Sequence, residues 1–158
     1  LEATPHDPGG EEYLHSEKYE IRHWNDELPH SLSELITRVN RARRENPALQ
    51  SDASLRFFPV DNDNLLCYAK SAGDLASLVV TVVNLDPHHV QSGWVELDLA
   101  SLGIDTHTPY QMHDLLSGAR FLWSGTRNFV QLDPQHAPAH VFALRRKVRT
   151  ERNFDYFL

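Results

Sequence analysis

The sequence predicts a mainly β fold: an antiparallel Greek-key β-sandwich preceded by one amphipathic α-helix and an acidic loop. Three observations lead there. From about residue 53 onward, short apolar runs recur about every ten residues, with turn-forming clusters between them. Between residues 31 and 47 the apolar positions instead follow helical spacing. Residues 1–30 have neither pattern, holding eight acids against two bases and five helix- or strand-breaking Pro and Gly residues.

Taken in order, the acidic segment offers too little apolar surface for a core of its own and reads as loop and short helical turns, ordered only if something packs on it. The helix opens at Ser31-Leu32-Ser33-Glu34, which fits a capping box: the Ser31 hydroxyl can accept from a first-turn amide while Glu34 reaches back. Leu32, Leu35, Ile36, Val39 and Ala42 then form one apolar stripe. Arg43 and Arg44 suit the negative end of the helix dipole, and Pro47 stops the helix. The stripe has no second helix to meet, so it must pack on the following sheet or on a body outside this chain.

Eight strands are expected at 55–60, 64–70, 76–84, 93–99, 109–113, 119–123, 127–132 and 139–146. Asp61-Asn62-Asp63-Asn64 and Ser71-Ala72-Gly73-Asp74 supply turns. Val95, Leu97 and Leu99 alternate with Glu96 and Asp98, giving that strand one wet face. Leu78 to Val83 has no wet face and should lie centrally, covered on both sides. Trp94, Trp123, Phe121 and Phe129 are expected in the core.

Composition excludes several functions. With 158 residues the chain is one domain plus a short attachment. A formal net charge of −7 argues against generic binding to nucleic acid or anionic membrane. No window approaches the roughly 18 apolar residues of a membrane span. Cys67, alone and inside Leu65-Leu66-Cys67-Tyr68, reads as a buried, inert thiol in a reducing compartment, so a cytoplasmic location is expected. The chain opens on Leu1 without a signal-peptide pattern, which suggests a piece of something longer.

The ten histidines do not have metal-site spacing. His136 and His140 are four apart, but Pro134 and Pro138 prevent the helix that would align them, and His88 and His89 diverge from a turn. Neither a metal nor another cofactor is expected. The basic run Arg145 to Arg149 reads as a solvated strand end. No phosphate-cradling glycine loop and no nucleophile signature is present. The densest mixture of charged and aromatic side chains is Ser16 to Trp24, a set suited to a sugar, since rings can stack on a pyranose while charged groups bind hydroxyls or phosphate.

Several segments resemble one family. Glu12-Tyr13 through Trp24, with the helix ending Arg43-Arg44-Glu45-Asn46-Pro47-Ala48-Leu49, is similar to the last barrel segment of the maltose-1-phosphate maltosyltransferases of the α-amylase superfamily. Tyr110 to Gly118, Phe121-Leu122-Trp123, Asn128 to Pro134 and Pro138 to Phe142 resemble the sandwich that follows the barrel there, and Phe154 to Phe157 resembles the family's terminus. The resemblance implies that residues 1–49 are the C-terminal end of a catalytic (β/α)8 barrel and 50–158 a C-terminal β-sandwich domain. It also implies a retaining transfer of maltosyl units from maltose 1-phosphate to the non-reducing end of α-1,4-glucan, with release of phosphate. Such chemistry needs two carboxyl groups across the scissile bond. In the family these lie upstream of the matching region, so this chain would hold no catalytic residue and be inactive alone.

Lys18 and Tyr19 match the family's Lys-Tyr pair for the maltose 1-phosphate donor. An ammonium can donate charge-assisted bonds to sugar hydroxyls or phosphate, and a phenol can donate, accept or pack. Glu17 and Glu20 would orient the loop. The partners implied are maltose 1-phosphate, α-1,4-glucan and the missing catalytic barrel, in a full-length homodimer. Two alternatives stay open. The chain could belong to another amylase-type enzyme, a trehalose synthase or α-glucosidase, although a hydrolase needs no phosphate-accommodating lysine at position 18. It could also be a non-catalytic carbohydrate-binding sandwich, which would expose two or three aromatic rings in one plane.

Overall fold

The computed structural model describes residues 5–10, 12–14, 21, 25, 28, 31–72 and 77–145. The chain divides into two compact units, Leu1–Thr37 and Arg38–Leu158. In the first, Pro5 bridges Tyr13 antiparallel and the His6 amide donates to the Glu12 carbonyl at 2.7 Å. Helix α1 spans Ser33–Glu45. Ser31 Oγ accepts from the Ser33 amide at 3.3 Å, a first-turn bond of the kind the capping pattern predicts.

The other end of α1 is closed by side chains the sequence pattern did not single out. Asn46 Nδ2 donates to the Ala42 carbonyl at 2.8 Å, and Gln50 Nε2 reaches the carbonyls of Arg43 and Arg44 at 3.4 and 3.3 Å. Pro47 then starts a 3₁₀ turn, Pro47–Gln50.

Eight strands follow: β1 Arg56–Phe58, β2 Leu65–Ala72, β3 Ser77–Asn84, β4 Gln91–Glu96, β5 Tyr110–Asp114, β6 Arg120–Trp123, β7 Arg127–Leu132 and β8 Ala139–Arg145. Each overlaps an expected segment, but β4 begins two residues before 93 and ends at Glu96, so Leu97 and Leu99 lie beyond the strand expected at 93–99, and β2 runs on through Ser71 and Ala72 of an expected turn. They form a six-stranded sheet in the order β1-β2-β3-β8-β5-β6 and a two-stranded ribbon β4-β7, all pairings antiparallel. Inward residues of both sheets share one core, with Val80, Val82, Met112 and Phe142 from the large sheet against Val95, Val130 and Leu132 from the ribbon.

β3 lies inside the large sheet, and Leu78, Val79, Val80, Thr81 and Val82 are all buried, as a strand without a wet face requires. Its outer side is covered by the 3₁₀ turn: Ala48 is 1% exposed and its amide donates to Ser77 Oγ at 3.3 Å. Lys70 Nζ pairs with Asp52 at 2.7 Å on the same side. Cys67 is buried and burial pushes its thiol up to about 12, so the expected inert thiol is found.

The expected core placement of the aromatic rings needs correction. Trp94, Phe129 and Phe121 are not core residues: they are 43%, 50% and 37% exposed, and only Trp123 of the four is buried. The reason is strand phase. In β4 and β7 the inward positions are Gly93, Val95, Asn128, Val130 and Leu132, so Trp94 and Phe129 fall on the opposite side, while Phe121 lies on the edge strand β6. Hydrophobicity identified these rings as core; alternation with Val95 would have placed two of them outside.

Candidate functional site

The residues matched to donor binding, Lys18 and Tyr19, lie outside the described residues, as do their neighbours Glu17 and Glu20. The Gly73-Asp74 half of one turn cluster, residues 146–149 of the basic run and Phe154 to Phe157 also lie outside them. The geometry available for a site is therefore that of the helix and the sandwich.

Leu32, just before α1, and Leu35, Ile36 and Val39 on it are 44–54% exposed, while Ala42 is buried. The stripe predicted from spacing is real, but most of it is uncovered. Exposure of four large aliphatic side chains in register is the mark of a face that mates with something.

In the sandwich the most connected polar group is Asp114, at the end of β5 and 1% exposed. Its Oδ1 accepts from the amides of Val141 at 3.1 Å and Leu116 at 3.2 Å; its Oδ2 accepts from the Ser117 amide and hydroxyl and lies 3.0 Å from His140 Nδ1. Burial works to raise its pKa, but the bonds from His140, Ser117, Val141 and Leu116 outweigh that and bring it down to about 2. The His140 ring stacks on Phe142 at 4.9 Å. A Ser, a His and an Asp thus meet, but Ser117 and His140 both bind the carboxylate rather than one another. This arrangement fixes the β5–β6 turn to β8 and has no hydroxyl–imidazole contact that could activate a nucleophile.

A second tie closes the turn that carries the chain from β6 in the large sheet to β7 in the ribbon. Tyr110 OH donates to the Gly125 carbonyl at 2.9 Å and accepts from Asn128 Nδ2 at 3.1 Å. Gly125, at φ +63°, supplies the left-handed turn. Among the described residues no three or more His, Cys, Asp or Glu side chains gather in a way that could hold a metal. His89 and His136 each face an aspartate within their own turn, Asp86 and Asp133, at 2.9 Å.

On the outer side of the ribbon, Trp94 and Phe129 are directly paired across β4 and β7, their ring centroids 5.5 Å apart and their planes at 65°. Arg127 lies over the Trp94 ring at 5.1 Å and donates to Asp61 Oδ2 at 2.9 Å. Asp61 Oδ1 accepts from the Trp94 amide at 2.6 Å. That amide, ahead of the Arg127 guanidinium, holds the Asp61 carboxyl below its ordinary range despite some desolvation. Gly93 favours this: a Cβ there would stand 3.0 Å from Asp61 Oδ1 and 3.2 Å from Asn62 Cβ and Leu65 Cδ1, so a larger residue would have to push the 61–64 turn back from β4 by a few tenths of an ångström.

Comparison with known proteins adds what the geometry leaves open. Residues 57–144 match the family described as GLGE, C-terminal. A Streptomyces coelicolor protein named alpha-1,4-glucan:maltose-1-phosphate maltosyltransferase 2 is 44% identical over 149 residues, covering 92% of this chain and 22% of the relative. Proteins named alpha-1,4-glucan:maltose-1-phosphate maltosyltransferase from Rhodospirillum rubrum and Salinibacter ruber are 45% identical, over 87% and 85% of this chain and 20% of each relative. The chain thus spans about a fifth of the length of these relatives. Among solved structures, an Anoxybacillus α-amylase superposes with a TM-score of 0.52 at 16% identity, over 75% of this chain and 23% of that one, a likeness of fold alone. With more than half its residues matched and its sandwich shared with amylases, this chain belongs to the GLGE C-terminal family.

Proposed function

We propose that this chain is the C-terminal part of a retaining glycosyltransferase that moves maltosyl units from maltose 1-phosphate to the non-reducing end of α-1,4-glucan and releases phosphate. The observation that carries this is the 44–45% identity to named maltosyltransferases, which extends well beyond the sandwich. One alignment, at 42% identity to a Myxococcus xanthus maltosyltransferase, covers 95% of the chain and so reaches the Lys18–Tyr19 segment. On this reading Lys18 and Tyr19 bind the donor, residues 1–49 end the catalytic barrel, and residues 50–158 form the domain after it.

The carboxylates that attack the anomeric carbon and assist phosphate departure belong to the barrel, so residues 1–158 alone are inactive. The exposed stripe of α1 supports this division, since a helix face of four large aliphatics needs an apolar surface to seat on. The full-length enzyme is proposed to be a cytoplasmic homodimer with no cofactor and no nucleic-acid or membrane partner.

The test is product analysis with the full-length protein, maltose 1-phosphate and a short maltooligosaccharide. The expected result is inorganic phosphate together with acceptors two glucosyl units longer. Free maltose would mark a hydrolase, and trehalose made from maltose would mark an isomerase; either overturns the proposal.

A further inference from the structure

We propose that the outer face of the β4–β7 ribbon, centred on Trp94 and Phe129, is a binding surface for α-1,4-glucan chains. The proposal rests on the reading of the protein as an α-glucan enzyme, and the test below separates the two.

Two large rings half-open to solvent on one side of a two-stranded ribbon are costly to leave bare, and here the sequence spends further residues on holding them still. Arg127 is stacked on Trp94 and tied to Asp61, Asp61 is tied to the Trp94 backbone, and Gly93 admits the turn that brings Asp61 there. A ring fixed before binding loses little entropy on binding. The same face carries Ser92 and Gln131 as one cross-strand pair and Glu96 opposite Arg127 as another, so hydrogen-bonding groups flank the rings on both sides. That alternation of flat apolar rings and polar groups is what a sugar needs, with its CH faces stacked and its equatorial hydroxyls bonded.

Charge and shape narrow the ligand. The guanidinium of Arg127 is neutralised by Asp61, and Glu96 adds a negative charge, so the face suits an uncharged polyol and repels phosphate backbones or anionic lipid. The 65° between the ring planes suits a chain whose successive pyranose faces turn relative to one another, as α-1,4 linkages impose. A flat β-1,4 chain would call for coplanar rings. The face also lies across the core from the 3₁₀ turn Pro47–Gln50, which packs on the outer side of the six-stranded sheet.

Native affinity electrophoresis of the full-length protein tests this, with glycogen or hydroxyethyl cellulose cast in the gel. Glycogen should retard the wild type and cellulose should not. Trp94→Ala combined with Phe129→Ala should raise the apparent Kd for glycogen about tenfold, the scale of lost ring stacking, while Trp94→Tyr should keep most of the retardation. Unaltered mobility and thermal unfolding in sugar-free gel and buffer would show that the variants fold. Equal retardation of wild type and double variant, equal retardation by cellulose, or a sugar-free mobility that depends on protein concentration through these two rings (a second copy as occupant) would each overturn the proposal. Product analysis of the wild type reads the other question independently. Retardation without maltosyl transfer leaves the glucan surface standing and removes the transferase assignment; transfer without retardation does the reverse.

Discussion

The sandwich core and the stripe of helix α1 are both made of aliphatic side chains at regular spacing, yet they end in opposite states. Val80, Val82, Met112 and Leu132 are fully buried, each sheet supplying the apolar surface the other needs. Leu32, Leu35, Ile36 and Val39 remain about half exposed. The difference lies in complementarity. The two sheets present matched inner faces, and the outer face of β3 is closed by Ala48 and its turn. A self-contained core and an uncovered helix face in one chain are what a boundary segment between two larger bodies should display.

The comparison can be sharpened by substitution, beginning where the effect is greatest. Phe142 packs at 5.3 and 5.5 Å on Trp123 and Phe121 and is 1% exposed, so Phe142→Ala should cost about 3–5 kcal/mol in urea unfolding of the sandwich. A loss below about 1 kcal/mol would mean that the two sheets do not share this core.

Asp114→Ala comes next, at about 3 kcal/mol, because it strands His140, the Ser117 hydroxyl and three amides. The same carboxylate gives an acid signature. Its pKa is about 2 when folded and 3.8 in the ordinary state, so its contribution is complete above about 4 and disappears as pH falls toward 2. In Asp114→Asn the unfolding free energy should fall less steeply over that interval than in the wild type. An identical acid profile would show that the carboxylate is not held as described.

The smallest effect is the most discriminating. Ile36→Asp in residues 1–158 alone should change stability by no more than about 0.5 kcal/mol, because the side chain is 54% exposed. In the full-length protein the same change should cost about 3 kcal/mol or more, since it would bury a carboxylate against an apolar surface. Equal effects in both would mean that the stripe has no partner in the longer protein.

Much of the fold was legible because it is governed by local periodicity. Each β-strand overlaps a segment expected from apolar spacing, β4 least closely, and the absence of a wet face in Leu78 to Val83 placed β3 correctly inside the sheet. What the sequence hid is non-local. Asp114 and His140 are 26 residues apart and meet only because β5 and β8 are neighbours, and Gln50 closes α1 from beyond a proline. Trp94 and Phe129 were misplaced for a different reason: size and hydrophobicity suggested core, whereas the alternation of β4 and β7 sets them outside. The assignment of Lys18 and Tyr19 to donor binding, a proposal, came from family resemblance, since the charge pattern of residues 1–30 does not distinguish a ligand-binding lysine from a solvated one.

The central claim is that this chain contributes the donor-binding lysine of a maltosyltransferase, and steady-state kinetics of Lys18→Ala in the full-length protein tests it most directly. Losing a charged hydrogen bond to the donor is expected to lower kcat/KM for maltose 1-phosphate by about 30- to 150-fold, with the protein still folded. Wild-type kcat/KM for maltose 1-phosphate in that variant would contradict it.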